Sequence, residues 1–183
     1  MKRRELEHVL RAAANTIGQR DFLVIGTASI LGTYDEGALP ERAIRSREAD
    51  LAPFNENAQG GKSMLVEGAL GDGSQFQLAF GYYADGVDFG TVIAPYGWKN
   101  RLVRFSPPGA EPGCGWCLDV YDLSASKLAA GRAKDYEFVC ALLDAGLIDI
   151  PNLLARVSLL PKTIVSPAYL NKAMTWINRR SQT

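Results

Sequence analysis

The fold is decided by two stretches, residues 22–29 (FLVIGTAS) and residues 47–51 (READL). The first begins with a continuous apolar run, which is typical of a strand buried on both faces, and Gly26 ends that strand before a short helical segment. In the second stretch apolar and acidic residues alternate, which is the pattern of a strand with one buried face. Glu48 and Asp50 then share the other face of this strand.

The order of strand, glycine turn and acidic strand suits the binding of a triphosphate together with a metal ion. A glycine turn lets backbone N–H groups and a neighbouring hydroxyl approach phosphates, and the N-terminus of the following helix favours an anion. Two carboxylates at positions i and i+2 of a strand can hold a divalent cation against phosphate oxygens. The alternative is a simple glycine turn followed by a solvent-facing strand with ordinary acids.

Blocks that extend this pattern run from about residue 6 to about residue 149: VIGTASILG, SREADLAP, GALGDGSQF, FGYYADGV, APYGWKNRLV, CLDVYDLSASKLAAGRAKDYEFV and ALLDAGLID. Their succession resembles an uncharacterised family of bacterial nucleotidyltransferase-like proteins with the polymerase-beta type of nucleotidyltransferase fold. Relatives of that family include nucleotidyltransferase toxins of toxin–antitoxin and phage-defence systems. The resemblance implies an α+β fold in which a mixed sheet is flanked by helices.

The resemblance also implies a role for each polar residue of the two stretches. Glu48 and Asp50 would act as catalytic acids that hold magnesium. Gly26, Thr27 and Ser29 would bind the triphosphate of an NTP. Magnesium is therefore the expected cofactor, and an NTP is the expected substrate.

Active members of this fold use a third acid on a later strand, which takes the proton from the attacking hydroxyl. Asp88 is the first candidate because it opens the strand predicted after the turn at residues 84–86, and Asp85 is the second. The alternative is that both are polar residues of a hairpin turn. In residues 127–135 (KLAAGRAKD), Lys127 is expected to offset phosphate charge, and the alternative is a solvated helix face.

These roles predict magnesium-dependent transfer of a nucleoside monophosphate from an NTP to a hydroxyl on RNA or on a protein. The relatives imply a toxin or defence role, with a cognate antitoxin as a partner. The alternative function is a catalytically inactive nucleotidyltransferase fold that acts as a binding or regulatory protein. A third carboxylate beside Glu48 and Asp50 would favour the enzyme.

The composition predicts a folded cytoplasmic protein. Hydrophobic residues make up 47% of the 183 residues and charged residues 22%, which argues against disorder. The 20 basic and 20 acidic side chains cancel, which disfavours a protein that coats nucleic acid non-specifically. No apolar run approaches the roughly 18 residues of a membrane span. The three cysteines are an odd number, which fits a reducing compartment.

The order of the remaining patterns predicts an α+β core over residues 1–118 and a helical C-terminal subdomain, packed on that core, over residues 119–183. Within the core, strands at residues 75–83 and 87–93 are predicted to form a hairpin through a turn at residues 84–86 (ADG).

Two other motifs are assigned no chemistry. Cys114 and Cys117 lie in a Gly- and Pro-rich loop that enters a strand, whereas redox pairs usually lie at a helix N-terminus, so they are expected to serve packing. Residues 60–63 (GGKS) lack the strand and the first glycine of a phosphate-binding P-loop.

Overall fold

The computed structural model describes residues 1–56 and 61–180 and confirms an α+β fold with one five-stranded mixed sheet. Its strands are β1 (Asp21–Ile25), β2 (Glu48–Pro53), β3 (Tyr83–Gly86), β4 (Val103–Phe105) and β5 (Cys114–Cys117). The strand order is β3-β2-β1-β5-β4, with β1–β5 and β2–β3 parallel and β1–β2 and β4–β5 antiparallel. The first glycine of the GGKS motif lies outside the described residues.

Strand β1 lies at the centre of the sheet, as its apolar sequence predicts. Phe22, Leu23 and Val24 are fully buried, because β1 has a paired strand on each side and is covered on both faces. The antiparallel register with β2 places Ile25 opposite Asp50. The glycine turn that follows β1 therefore lies next to the acidic end of β2.

Helices flank the sheet and form the C-terminal part of the chain. They are α1 (Arg3–Ile17), α2 (Gly61–Leu70), α3 (Gln75–Phe80), α4 (Val120–Ala130), α5 (Ala133–Asp144), α6 (Ile150–Ser158) and α7 (Pro167–Arg180). Within residues 1–56 and 61–180, none of these helices combines the length and the apolar composition that a bilayer span requires.

Helices α1 and α2 pack against the sheet face opposite to the acids of β2. A Cβ atom at Gly115 would lie 3.1 Å from Leu10 of α1, and a Cβ atom at Gly86 would lie 1.9 Å from the carbonyl oxygen of Ser63 in α2. The two helices therefore cover the face that carries these glycines, and the acidic face is left to other parts of the chain.

Every described element after β5 is helical, and the first of these helices is fixed by its caps. Asp119 accepts a hydrogen bond from the N–H group of Asp122 at 2.7 Å, and Gly131 ends α4 at φ +66°. One hydrophobic core joins residues of the sheet, such as Phe22, to residues of the C-terminal helices, such as Leu123 and Leu142.

The hairpin predicted over residues 75–83 and 87–93 is wrong. Most of the first segment forms α3, because Ser74 caps the first turn through a side-chain hydrogen bond and Gly81, at φ +77°, ends the helix. The second segment contains a 3₁₀ turn. Residues 84–86, predicted to be a turn, belong to β3, which pairs in parallel with β2.

Candidate functional site

Three carboxylates converge on one face of the sheet, where β2 and β3 run side by side. Glu48 and Asp50 share that face because a strand has a period of two residues, and the parallel register places Asp85 directly beside Asp50. One carboxylate oxygen from each residue lies within 4.8 Å of the other two. Oxygens at this spacing can share one hard divalent cation such as Mg²⁺. We call these three residues the acidic cluster.

The glycine turn contacts the acidic cluster directly. Gly26 has φ +64° and ψ −164°, a conformation that is practically limited to glycine. A Cβ atom at this position would lie 1.9 Å from Oδ2 of Asp50. The missing side chain is therefore what lets the turn approach the carboxylate, and the turn and the acids form one site.

Burial and mutual repulsion raise the pKa values of two of these acids. Burial, followed by the charge of Glu48, raises the pKa of Asp50 to about 7. Burial, followed by the charges of Glu67 and Glu48, raises the pKa of Asp85 to about 6. Oδ1 of Asp85 is buried and has no hydrogen-bond partner among the described residues. A divalent cation would satisfy this oxygen and offset the repulsion, so the residues present fit magnesium.

Two acids of the cluster border a cleft of about 540 Å³, and Asp85 lies behind them. Glu48 and Asp50 line it together with Gly26 and Thr27, and α4 and α5 contribute further walls. Basic side chains line the same cleft: Arg42, Arg45, Lys127, Arg132 and Lys134. This combination suits a metal-bound polyphosphate, since the cations can neutralise oxygens that the metal does not reach.

Lys127 of α4 is held in the wall of the cleft by a buried carboxylate. Its Nζ lies 3.5 Å from Oδ1 of Asp135, whose side chain is fully buried. The same carboxylate accepts hydrogen bonds of 2.7 and 3.1 Å from the guanidinium of Arg132. Burial lowers the pKa of Lys127, while the charges of Asp135 and Asp50 act against that shift. The ammonium group is thus fixed within electrostatic range of Asp50.

Among the residues expected at the triphosphate, Gly26, Thr27 and Lys127 line the cleft, and Ser29 does not. Ser29 is fully buried, and its Oγ donates a hydrogen bond of 2.9 Å to the carbonyl oxygen of Gly26. Its hydroxyl therefore stabilises the turn from inside instead of facing the cleft.

The third acid of the cluster is Asp85, which was our second candidate. We had expected Asp88 in this role. Asp88 is exposed and caps a 3₁₀ turn by accepting a hydrogen bond of 2.6 Å from the N–H group of Gly90. The sequence favoured Asp88 because residues 84–86 have the composition of a turn. The strand pairing that places Asp85 beside Asp50 joins distant segments, so it leaves no local signal.

Tyr83 is a neighbour of the cluster that the sequence did not single out. Its hydroxyl lies 3.5 Å from Oε2 of Glu48. Burial, followed by the charge of Glu48, raises the pKa of Tyr83 to about 12, so the phenol stays protonated. Tyr83 lies two residues before Asp85, so in a strand the two side chains share one face. This spacing identifies Tyr83 as a neighbour of the acids only when the segment is recognised as a strand.

Cys114 and Cys117 lie at the two ends of β5, and both are fully buried. Burial raises the pKa of the Cys117 thiol to about 12. A thiol that stays protonated is a poor nucleophile and a poor redox group, which supports the packing interpretation.

Comparisons of the chain with protein-family models, with curated proteins and with solved structures found no match. The resemblance to nucleotidyltransferases therefore stays a prediction from the sequence. The acidic cluster, the Gly26 turn and the basic cleft are the features that point to a function.

Proposed function

We propose that the chain is a magnesium-dependent nucleotidyltransferase, which moves a nucleoside monophosphate from an NTP to a hydroxyl on RNA or on a protein. The observation that carries this proposal is the convergence of the acidic cluster and Gly26 at the edge of a cleft lined by basic residues. When bound, magnesium would polarise the phosphate oxygens and stabilise the leaving pyrophosphate.

The residues of the cleft divide between the metal and the phosphates. Glu48 and Asp50 would hold the ion, and the backbone of Gly26 and Thr27 would contact the triphosphate. Lys127 would add a positive charge that Asp135 has already fixed in place, so little entropy would be lost in ordering it when the nucleotide binds.

Asp85 would take the proton from the acceptor hydroxyl. A carboxylate whose pKa is raised to about 6 suits a base that works near neutral pH. The hydroxyl oxygen forms a bond to the α-phosphorus, the bond from that phosphorus to the pyrophosphate oxygen breaks, and the proton passes to the carboxylate.

The test is incubation of the protein with each α-labelled NTP, magnesium and a cell extract, followed by a search for a labelled acceptor. Asp50→Asn is expected to lower labelling at least about 100-fold, because the variant loses one charge of the metal clamp. Asp144→Asn, which changes an acid whose side chain is mostly exposed, is the matched control and should retain activity. Labelling that is equal in Asp50→Asn and in the wild type would contradict the proposal.

The alternative function, an inactive fold that binds or regulates, predicts a site without a third carboxylate. Asp85 supplies that carboxylate, which supports the enzyme. A toxin or defence role and a cognate antitoxin are proposed on the resemblance alone, and a cytoplasmic location is proposed on the composition of the sequence.

A further inference from the structure

Strands β2 and β3 carry two cross-strand pairs on the face of the acidic cluster. Their parallel register places Asp85 beside Asp50 and Tyr83 beside Glu48. Tyr83 and Asp85 share this face because they are two residues apart on one strand. Tyr83 therefore takes the same place beside Glu48 that Asp85 takes beside Asp50.

The hydroxyl of Tyr83 faces the carboxylate of Glu48. The hydroxyl oxygen lies 3.5 Å from Oε2 of Glu48, and a shift of less than about 1 Å brings the two oxygens to the usual O–H···O distance of about 2.8 Å. A phenol is protonated at neutral pH, so the hydroxyl donates and the carboxylate accepts. Outside the acidic cluster, Tyr83 is the only side chain of residues 1–56 and 61–180 that is placed to donate a hydrogen bond to this carboxylate.

The start of β3 is fixed without any help from Glu48. The N–H group of Tyr83 donates a hydrogen bond of 3.0 Å to the carbonyl oxygen of Arg47. The preceding residue, Tyr82, points to the other face of the sheet, where its hydroxyl lies 2.7 Å from Nδ1 of His8 in α1. The phenol of Tyr83 therefore projects from a rigid support, which is what a group that orients a neighbouring side chain requires.

We propose that Tyr83 is a positioning residue of the metal site, whose hydroxyl orients the carboxylate of Glu48 for binding magnesium. The inference rests on the proposed function, in which Glu48 holds the ion. Carboxylates that bind a metal are usually hydrogen-bonded in turn, and the loss of such a partner lowers metal affinity by roughly 10–100-fold. A neutral donor suits this place, since a lysine or arginine beside Glu48 would repel the cation.

The affinity for Mn²⁺ alone tests this role in the whole protein. Mn²⁺ takes the same oxygen ligands as Mg²⁺, and electron paramagnetic resonance measures the free ion. Tyr83→Phe keeps the ring and removes the hydroxyl, and it is expected to weaken Mn²⁺ binding at least about tenfold. Tyr82→Phe is the matched control: it removes the hydroxyl of the neighbouring tyrosine on the other face and should bind Mn²⁺ as tightly as the wild type.

Transfer of label from an α-labelled NTP gives a second readout. Tyr83→Phe is expected to raise the magnesium concentration for half-maximal labelling about tenfold. The rate at saturating magnesium should stay close to that of the wild type, because the hydroxyl acts through Glu48 and not on the reacting atoms. Circular dichroism confirms the fold of both variants, and a half-buried phenol replaced by phenylalanine should leave it unchanged.

The positioning role and the proposed function fail separately. Equal Mn²⁺ affinity in folded Tyr83→Phe and in the wild type, or an equal loss in Tyr82→Phe, overturns the positioning role and leaves the proposed function standing. Mn²⁺ binding that depends on Tyr83 in a protein that labels no acceptor supports the positioning role and overturns the transferase. A wild type that binds no Mn²⁺ overturns both.

Discussion

Gly26 is constrained twice, by its backbone angles and by the carboxylate of Asp50. We expect Gly26→Ala to lower the free energy of unfolding by about 1–3 kcal/mol and to abolish stabilisation by magnesium, because the new methyl group displaces Asp50. Gly18→Ala is the control: Gly18 has φ +61°, and a Cβ atom there would meet no described atom within 4 Å, so it adds backbone strain without touching the site. Thermal melts with and without magnesium distinguish the two, and equal magnesium shifts in both variants would contradict this account.

The protonation of Asp50 makes the stability of the metal-free protein depend on pH. Its pKa is about 7 in the folded protein, against an ordinary value of 3.8, so the folded state holds a proton that the unfolded chain releases. Its contribution to stability is therefore fully present below about pH 4 and is lost as the pH rises through 7.

The variant Asp50→Asn cannot lose stability in this way, because its neutral side chain releases no proton as the pH rises. At pH 8 without metal we expect the variant to melt above the wild type, by about 2–4 °C for each kcal/mol of relieved repulsion. Magnesium should stabilise the wild type more at pH 8 than at pH 5 and should leave the variant unchanged. A melting temperature of Asp50→Asn that falls below that of the wild type at pH 8 would show that Asp50 does not repel its neighbours.

At the scale of elements, local pattern predicted β1, the glycine turn and β2, because burial on two faces and alternation leave direct traces in the sequence. The pair of Glu48 and Asp50 follows from that alternation alone. The segment around Phe76 and Phe80 also alternates, but its helix is decided by caps at both ends. The position of Asp85 beside Asp50 depends on a parallel pairing of distant strands, and no short-range pattern in the sequence encodes such a pairing.

The N-cap of α3 gives a direct test of that explanation. Ser74→Ala removes the side-chain acceptor of a 3.1 Å hydrogen bond from the N–H group of Gln77, and we expect a loss of about 1 kcal/mol in the free energy of unfolding. Ser158→Ala, which removes an exposed hydroxyl that donates to a carbonyl within its own helix, should cost less than about 0.5 kcal/mol. Chemical denaturation measures both, and equal losses would mean that the cap does not decide the helix.

At the scale of the whole molecule, one buried carboxylate joins the sheet to the C-terminal helices. Asp122 of α4 is fully buried and accepts two 2.8 Å hydrogen bonds from Arg101, which lies just before β4. It also lies 2.8 Å from the guanidinium of Arg156 in α6. Both arginines would keep their charge if this carboxylate were removed.

Asp122→Ala is therefore expected to lower the free energy of unfolding by about 3–5 kcal/mol. Asp144→Ala, which breaks the more exposed pair with Arg180, should cost less than about 1 kcal/mol. Urea denaturation of the two variants compares the losses, and a small effect at Asp122 would mean that its arginines find other partners.

The acidic cluster also bears on how this chain can evolve. Burial and the charge of Glu48 raise the pKa of Asp50, so we expect the exchange of Asp50 for a neutral residue to make the metal-free fold more stable. Without selection for activity, random substitution is then expected to remove this carboxylate readily, since its loss would raise stability. We therefore expect the acids, together with the glycine that accommodates Asp50, to persist only where selection acts on the charge of the site.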